Sequence, residues 1–246
     1  MPVNHAPYDH PVIIDTKFRA RAAFQSEKTS GPSGPSNGKT SGDRVLFDAV
    51  LFDMGGVLVT GPFAGFARYE REHHLPVDTI RTINATNADT NGWARYERGE
   101  IDREEFCRVY TLEAAALGCR VDADAVLMCM KSEPVAEMIE LVGRLHGRLK
   151  LGMITNNLHP MNRAGSMIAA VLDVFDVVVE SSVEGVRKPD PAIYRLACER
   201  LEVTAERCVF LDDLGVNLKP ARAMGMTTIK VTDPVAAAGE LGSLLA

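Results

Sequence analysis

The run AVLFDMGGVLV, Ala49 to Val59, decides how this chain folds. Apolar, β-leaning residues lead up to Asp53 and stop there, and a glycine pair follows at Gly55 and Gly56. An apolar stretch closed by an acidic residue and glycines reads as a buried strand entering a tight turn. Extended upstream, VLFDAVLF over 45–52 gives the first strand. Comparable runs recur at 149–154, 177–179, 208–211 and 227–231, with helical patterns at 134–145, 191–201 and 216–224 between them. Apolar strands alternating with amphipathic helices predict an α/β fold, a Rossmann-like parallel sheet covered on both faces.

Two stretches depart from that rhythm. Residues 62–131 look helical throughout: Pro62 starts a segment carrying Phe63, Phe66, Ala67 and Tyr69, and a second pattern covers 93–117. An all-helical insert directly after the first strand reads as a cap domain. The α/β core is then 45–61 together with 132–246, and the cap is 62–131. The Met-rich run 127–130 reads as core packing, and the charge run 98–105 as a solvated face. Upstream, SGPSGPSNGKTSG over 30–42 lacks apolar residues and predicts a flexible linker, within an arm spanning 1–44. Its Gly38-Lys39-Thr40 is no nucleotide loop, because Ser33 stands where that pattern needs glycine and no strand precedes it.

Composition narrows the function. With 33 Asp and Glu against 27 Lys and Arg, the net charge of −6 argues against a nucleic-acid partner. No apolar run approaches the ~20 residues that span a bilayer, so no membrane partner is expected. The first residues lack the continuous apolar stretch of a secretory signal. Five cysteines without a CxxC pair fit reduced thiols and a cytoplasmic location.

Chemistry-bearing residues collect after the strands. Asp53, Thr155, Lys188 and the Asp212-Asp213 pair each follow an apolar run directly or within a short loop. In an open parallel sheet, ligands bind beyond the carboxyl ends of the strands. A lone aspartate ending a strand is usually a turn or cap residue. Several strands delivering carboxylates, a hydroxyl and an amine to one edge make a site. A carboxylate such as Asp53 can attack phosphorus or carbon and split a hard displacement into two easier steps. Asp53, Asp212 and Asp213 offer the hard oxygen ligands that Mg²⁺ prefers. Thr155 and Asn156 can donate to phosphate oxygens, and Lys188 can neutralise the transferring group. Asp190 before Pro191 reads as a helix cap.

The runs AVLFDMGGVLV, LGMITNN, GVRKPDPAIY and FLDDLGVNLKPARAMGM resemble, in order, the four motifs of the haloacid dehalogenase superfamily. WARYERGEIDREEF, within the insert, resembles a helical cap of that superfamily. The resemblance implies Asp53 as nucleophile and metal ligand, with the Gly55 carbonyl as a further ligand. It implies Thr155 and Asn156 as phosphate binders, Lys188 as the charge-neutralising lysine, Asp212 and Asp213 as the metal pair, and Asn217 as a supporting residue. The activity implied is Mg²⁺-dependent hydrolysis of a small phosphorylated metabolite through an aspartyl-phosphate on Asp53. Phosphatases of this superfamily usually carry a second aspartate two residues after the nucleophile, as the acid/base; here that residue is Gly55. Tyr69, His73 and His74 of the cap are candidates to replace it. Two other functions stay open on the same residues: a phosphate-binding module with little turnover, and a 2-haloacid dehalogenase.

Overall fold

In β1 (Ala49–Phe52) every side chain is buried, Val50 and Phe52 in one apolar cluster and Ala49 and Leu51 in another. Consecutive side chains of a strand point to opposite faces, so a strand apolar at every position needs cover on both sides. The computed structural model, which describes residues 47–161 and 169–246, supplies that cover. The arm 1–44, its linker and Gly38-Lys39-Thr40 lie outside the described residues. β1 is the centre of a five-stranded sheet of order β3-β2-β1-β4-β5, with β2 (Lys150–Thr155), β3 (Val177–Glu180), β4 (Cys208–Asp212) and β5 (Thr227–Lys230). All four pairings are parallel. Phe52 lies opposite Met153 on one side and Leu211 on the other. That register brings the residue after β1 level with the end of β4.

Of the six helices between β1 and β2, the first five form the cap: α1 (Phe63–Glu72), α2 (Thr79–Ala85), α3 (Gly92–Glu97), α4 (Arg103–Ala116) and α5 (Ala123–Met128). They enclose an apolar cluster of their own around Trp93, whose ring centroid lies 6.0 Å from Phe66 and 5.9 Å from Phe106. Tyr96 and Phe106 stack at 4.8 Å. Such aromatic pairs add about 0.5–1.5 kcal/mol each beyond their burial. The pattern expected over 93–117 divides into α3 and α4, because Asp102 opens a new helix by accepting from Glu105 N at 2.9 Å. In the run 127–130, Cys129 is buried, but Met128, closing α5, is 54% exposed and not the core residue expected. The chain segments entering and leaving the cap run side by side, Thr60 N donating to Glu133 O at 2.8 Å and Val135 N to Leu58 O at 2.9 Å.

The later helices are α6 (Ala136–Leu145), α7 (Ala169–Leu172), α8 (Ser181–Glu184), α9 (Pro191–Leu201), α10 (Gly215–Ala223) and α11 (Pro234–Leu245). α6 and α11 cover the Val50/Phe52 face through Met138, Leu141, Val142 and Leu241. α9 and α10 cover the Leu51 face through Ile193, Tyr194, Ala197 and Leu218. Asp190 caps α9 as expected, accepting from Ala192 N at 2.8 Å, with Pro191 at the first helical position. Among the described residues no helix is long and apolar enough to cross a membrane.

Candidate active site

The site forms where β1 and β4 end together. Asp53 N still donates to Leu211 O at 2.8 Å, so the ladder runs one residue past β1 and sets Asp53 beside Asp212. The chain then turns tightly: Leu58 N and Val59 N both donate to Met54 O, at 2.9 and 3.0 Å. Inside this turn the two glycines are not equivalent. Gly56 has φ of +79°, and a Cβ there would lie 2.4 Å from Asp213 Oδ2. Only glycine allows both that backbone and that approach. At Gly55 a Cβ would meet nothing within 4 Å.

Asp53, Asp212 and Asp213 each offer an oxygen within 4.8 Å of the others. Lys188 Nζ lies 2.7 Å from Asp53 Oδ1 and 2.7 Å from Asp212 Oδ2, with its side chain only 1% exposed. Asp212 is held by Leu214 N at 2.8 Å and by Asn217 Nδ2, which reaches its two oxygens at 3.0 and 3.1 Å. Asn217 therefore orients the buried acid. Phe210 backs the ammonium, 5.7 Å from its ring centroid.

Burial pushes the Asp53 carboxyl up to about 8, against the pull of Lys188 and with the push of Asp212. Burial and then Asp212 lift Asp213 to about 6, partly offset by Lys188. Burial disfavours the Lys188 ammonium, but Asp53 and Asp212 outweigh it and raise its pKa. One ammonium thus faces three crowded carboxylates, and all-oxygen anionic donors of this kind suit a hard divalent cation.

Thr155 ends β2 at this edge and is buried. The Asn156 side chain has a partner the sequence did not reveal. Its Oδ1 accepts from Lys188 N at 2.8 Å and its Nδ2 donates to Lys188 O at 3.0 Å, a two-way clamp on the lysine's backbone. Of the cap candidates, Tyr69 turns its hydroxyl to accept from Asp122 N at 2.8 Å and stacks on His73 at 4.2 Å. His73 and His74 are exposed. The sequence reading missed Glu97 and Arg187. Both lie where cap meets core, paired with Nε 2.6 Å from Oε2. Helical periodicity marks Glu97 only as the polar end of a helix, because its partners come from distant loops.

A carboxylate closing the central strand, an acidic pair at the end of the neighbouring strand, a buried lysine between them and a helical cap are the features of a capped α/β hydrolase, with its candidate site at the sheet's carboxyl edge. Residues 47–225 match the haloacid dehalogenase-like hydrolases, and the chain belongs to that family. It is 35% identical over 205 residues to acyl-CoA dehydrogenase family member 10 of Mus musculus, a match covering 81% of this chain but 19% of that protein. It is 29% identical over 201 residues to the sesquiterpene phosphatase astK of Aspergillus oryzae, covering 81% of this chain and 97% of that one. A HAD-family enzyme of Bacteroides thetaiotaomicron, solved with magnesium and inorganic phosphate, shares the fold at a TM-score of 0.52 and 18% identity. That alignment covers 75% of this chain and 93% of the other. The chain is a hydrolase with phosphatases among its relatives.

Proposed function

We propose that the chain is a magnesium-dependent phosphatase that hydrolyses a small phosphorylated metabolite through an aspartyl-phosphate on Asp53. The observation that carries this reading is the buried Lys188 ammonium, 2.7 Å from both Asp53 and Asp212, with Asp213 beside them. A carboxylate oxygen of Asp53 attacks phosphorus, the ester P–O bond breaks, and the leaving alkoxide takes a proton from water. Water then attacks the aspartyl-phosphate, releasing inorganic phosphate and restoring the carboxylate. Lys188 neutralises charge on the transferring group, and Thr155 donates to its oxygens. Asp53, Asp212, Asp213 and the Gly55 carbonyl are the residues that would hold Mg²⁺. When bound, the ion offsets repulsion between the anionic nucleophile and the anionic substrate. The magnesium and phosphate bound by the Bacteroides relative support this assignment.

Gly55 supplies no proton to the leaving group. Esters whose alcohols leave readily should therefore react best, because a general acid contributes about 10²–10⁴ in rate. Carbon–halogen cleavage needs no such acid, but it leaves the Asp212-Asp213 pair without a task.

The test is inorganic phosphate release from an aryl and an alkyl phosphate, with and without magnesium, using Asp53→Asn as the blank. Magnesium-dependent release that favours the aryl ester and vanishes in the variant is expected. Full release by Asp53→Asn would refute the nucleophile. Tight magnesium-dependent phosphate binding without turnover of any ester would leave a binding module, and chelator-insensitive chloride release from a 2-haloacid would leave a dehalogenase.

A further inference from the structure

We infer that Glu97, at the end of the cap helix α3, is a positioning residue for Lys188, so that seating the cap sets the placement of the catalytic ammonium. This deepens the phosphatase reading and rests on it for the role of Lys188. The path is continuous. Glu97 Oε1 accepts from Trp93 Nε1 at 2.9 Å within the cap. Its other oxygen lies 2.6 Å from Arg187 Nε and 3.4 Å from Asn156 Nδ2, both on the core. Arg187 immediately precedes Lys188, and Asn156 clamps the Lys188 backbone through both its N–H and its carbonyl. One cap carboxylate thus touches both supports of the loop that carries the ammonium.

The same corner of the cap is bolted down by its backbone. Ser181 Oγ donates to Glu97 O at 2.6 Å, and Asn157 N donates to Ser181 Oγ at 3.0 Å. Two residues on, Gly99 has φ of +65° and passes so near α8 that a Cβ would lie 2.4 Å from Ser182 O. Arg187 Nη1 donates back to Ala88 O of the cap at 2.8 Å. The Glu97 and Arg187 side chains are 9% and 19% exposed, so the pair sits at a closed seam. Displacing the cap would strand the arginine and release Asn156 from its cap partner. Misplacing a reacting group by about 1 Å can cost ~10²-fold in rate. A seam that fixes the lysine loop therefore bears directly on turnover.

Glu97→Gln keeps an acceptor for Trp93 and nearly the same volume, but removes the charge that holds Arg187. Amide exchange followed by NMR should show the Lys188 N–H exchanging about tenfold faster or more, with the Phe210 amide of β4 unchanged. Unchanged protection at Lys188 overturns the inference, whether or not the protein turns over any ester. In kinetics on an aryl phosphate, Glu97→Gln should lower kcat about 10- to 100-fold with little change in KM. In a Lys188→Met background the same change should cost almost nothing further, because the ammonium it positions is gone. An equal loss in both backgrounds marks a structural role and sinks the idea. A wild-type chain inactive on every ester would refute the phosphatase reading instead, and the exchange measurement would still decide the positioning role. If Glu97→Gln fails to fold, Glu97→Asp keeps the charge but shortens its reach, and carries the same expectations.

Discussion

On the proposed phosphatase reading, Gly55→Asp should extend turnover from aryl to alkyl esters. Space is the first consideration: a Cβ at residue 55 meets nothing within 4 Å, and Gly55 is not among the positive-φ glycines. Replacing a glycine at such a position is tolerated, and trimming unfolded-state entropy can add about 0.4–1 kcal/mol of stability. Charge is the second. A fourth carboxylate would join Asp53, Asp212 and Asp213, whose oxygens already lie within 4.8 Å of one another. Like-charge crowding favours its protonated form, the form a proton donor needs. A general acid is worth about 10²–10⁴ in rate, or about 3–5 kcal/mol of barrier. The assay is kcat/KM for matched alkyl and aryl phosphates. The alkyl value should rise by about 10²–10⁴ and the aryl value by less than about tenfold. Gly56→Ala is the control, since its Cβ would lie 2.4 Å from Asp213 Oδ2 at φ of +79°. It should lose at least about 1–2 kcal/mol of stability and weaken magnesium dependence. A folded Gly55→Asp with an unchanged alkyl-to-aryl ratio would refute the claim that residue 55 is where the acid is missing.

Other outcomes follow from the same geometry. Lys188→Met leaves Asp53 and Asp212 buried without their shared cation. It should destabilise the metal-free protein by about 3–5 kcal/mol, and an unmoved denaturation midpoint would contradict the pairing. Asp213 at about 6 and Asp53 at about 8 both lie above the ordinary 3.8. Each therefore binds its proton more tightly folded than unfolded. Their stabilisation is fully present below 3.8 and lost as pH rises through about 6 and then about 8. Calorimetry on metal-free protein should show Tm falling across that window, and magnesium, which competes with those protons, should raise Tm more at its upper end. A metal-free Tm that climbs there would reverse the sign. In the cap, Phe106 is fully buried and stacked on Tyr96 and Tyr110. Phe106→Ala should cost about 3–5 kcal/mol in denaturant melts, and a loss under ~1 kcal/mol would mean the cluster closes over the gap.

By itself the sequence determined the layered architecture. AVLF is apolar at every position, which requires a strand covered on both faces, and the alternation of such runs with helical patterns requires a parallel sheet. Parallel strands end on a common edge, so Asp53, Thr155 and the Asp212-Asp213 pair were legible as residues of that one edge. These are properties of residues close along the chain, read through periods of two and 3.6. What required the tertiary structure was every partnership between distant segments. The register of Phe52 with Leu211 sets Asp53 beside Asp212. The burial of Lys188 makes one ammonium serve two carboxylates. Asn156, read from the sequence as a phosphate binder, holds the Lys188 backbone with its side chain, and Glu97 reaches that clamp from the cap. The open space at Gly55 and the crowding at Gly56 are equally invisible in a Gly-Gly pair. A side chain's local pattern fixes the direction in which it leaves its own element, but what it meets there depends on how the other elements pack.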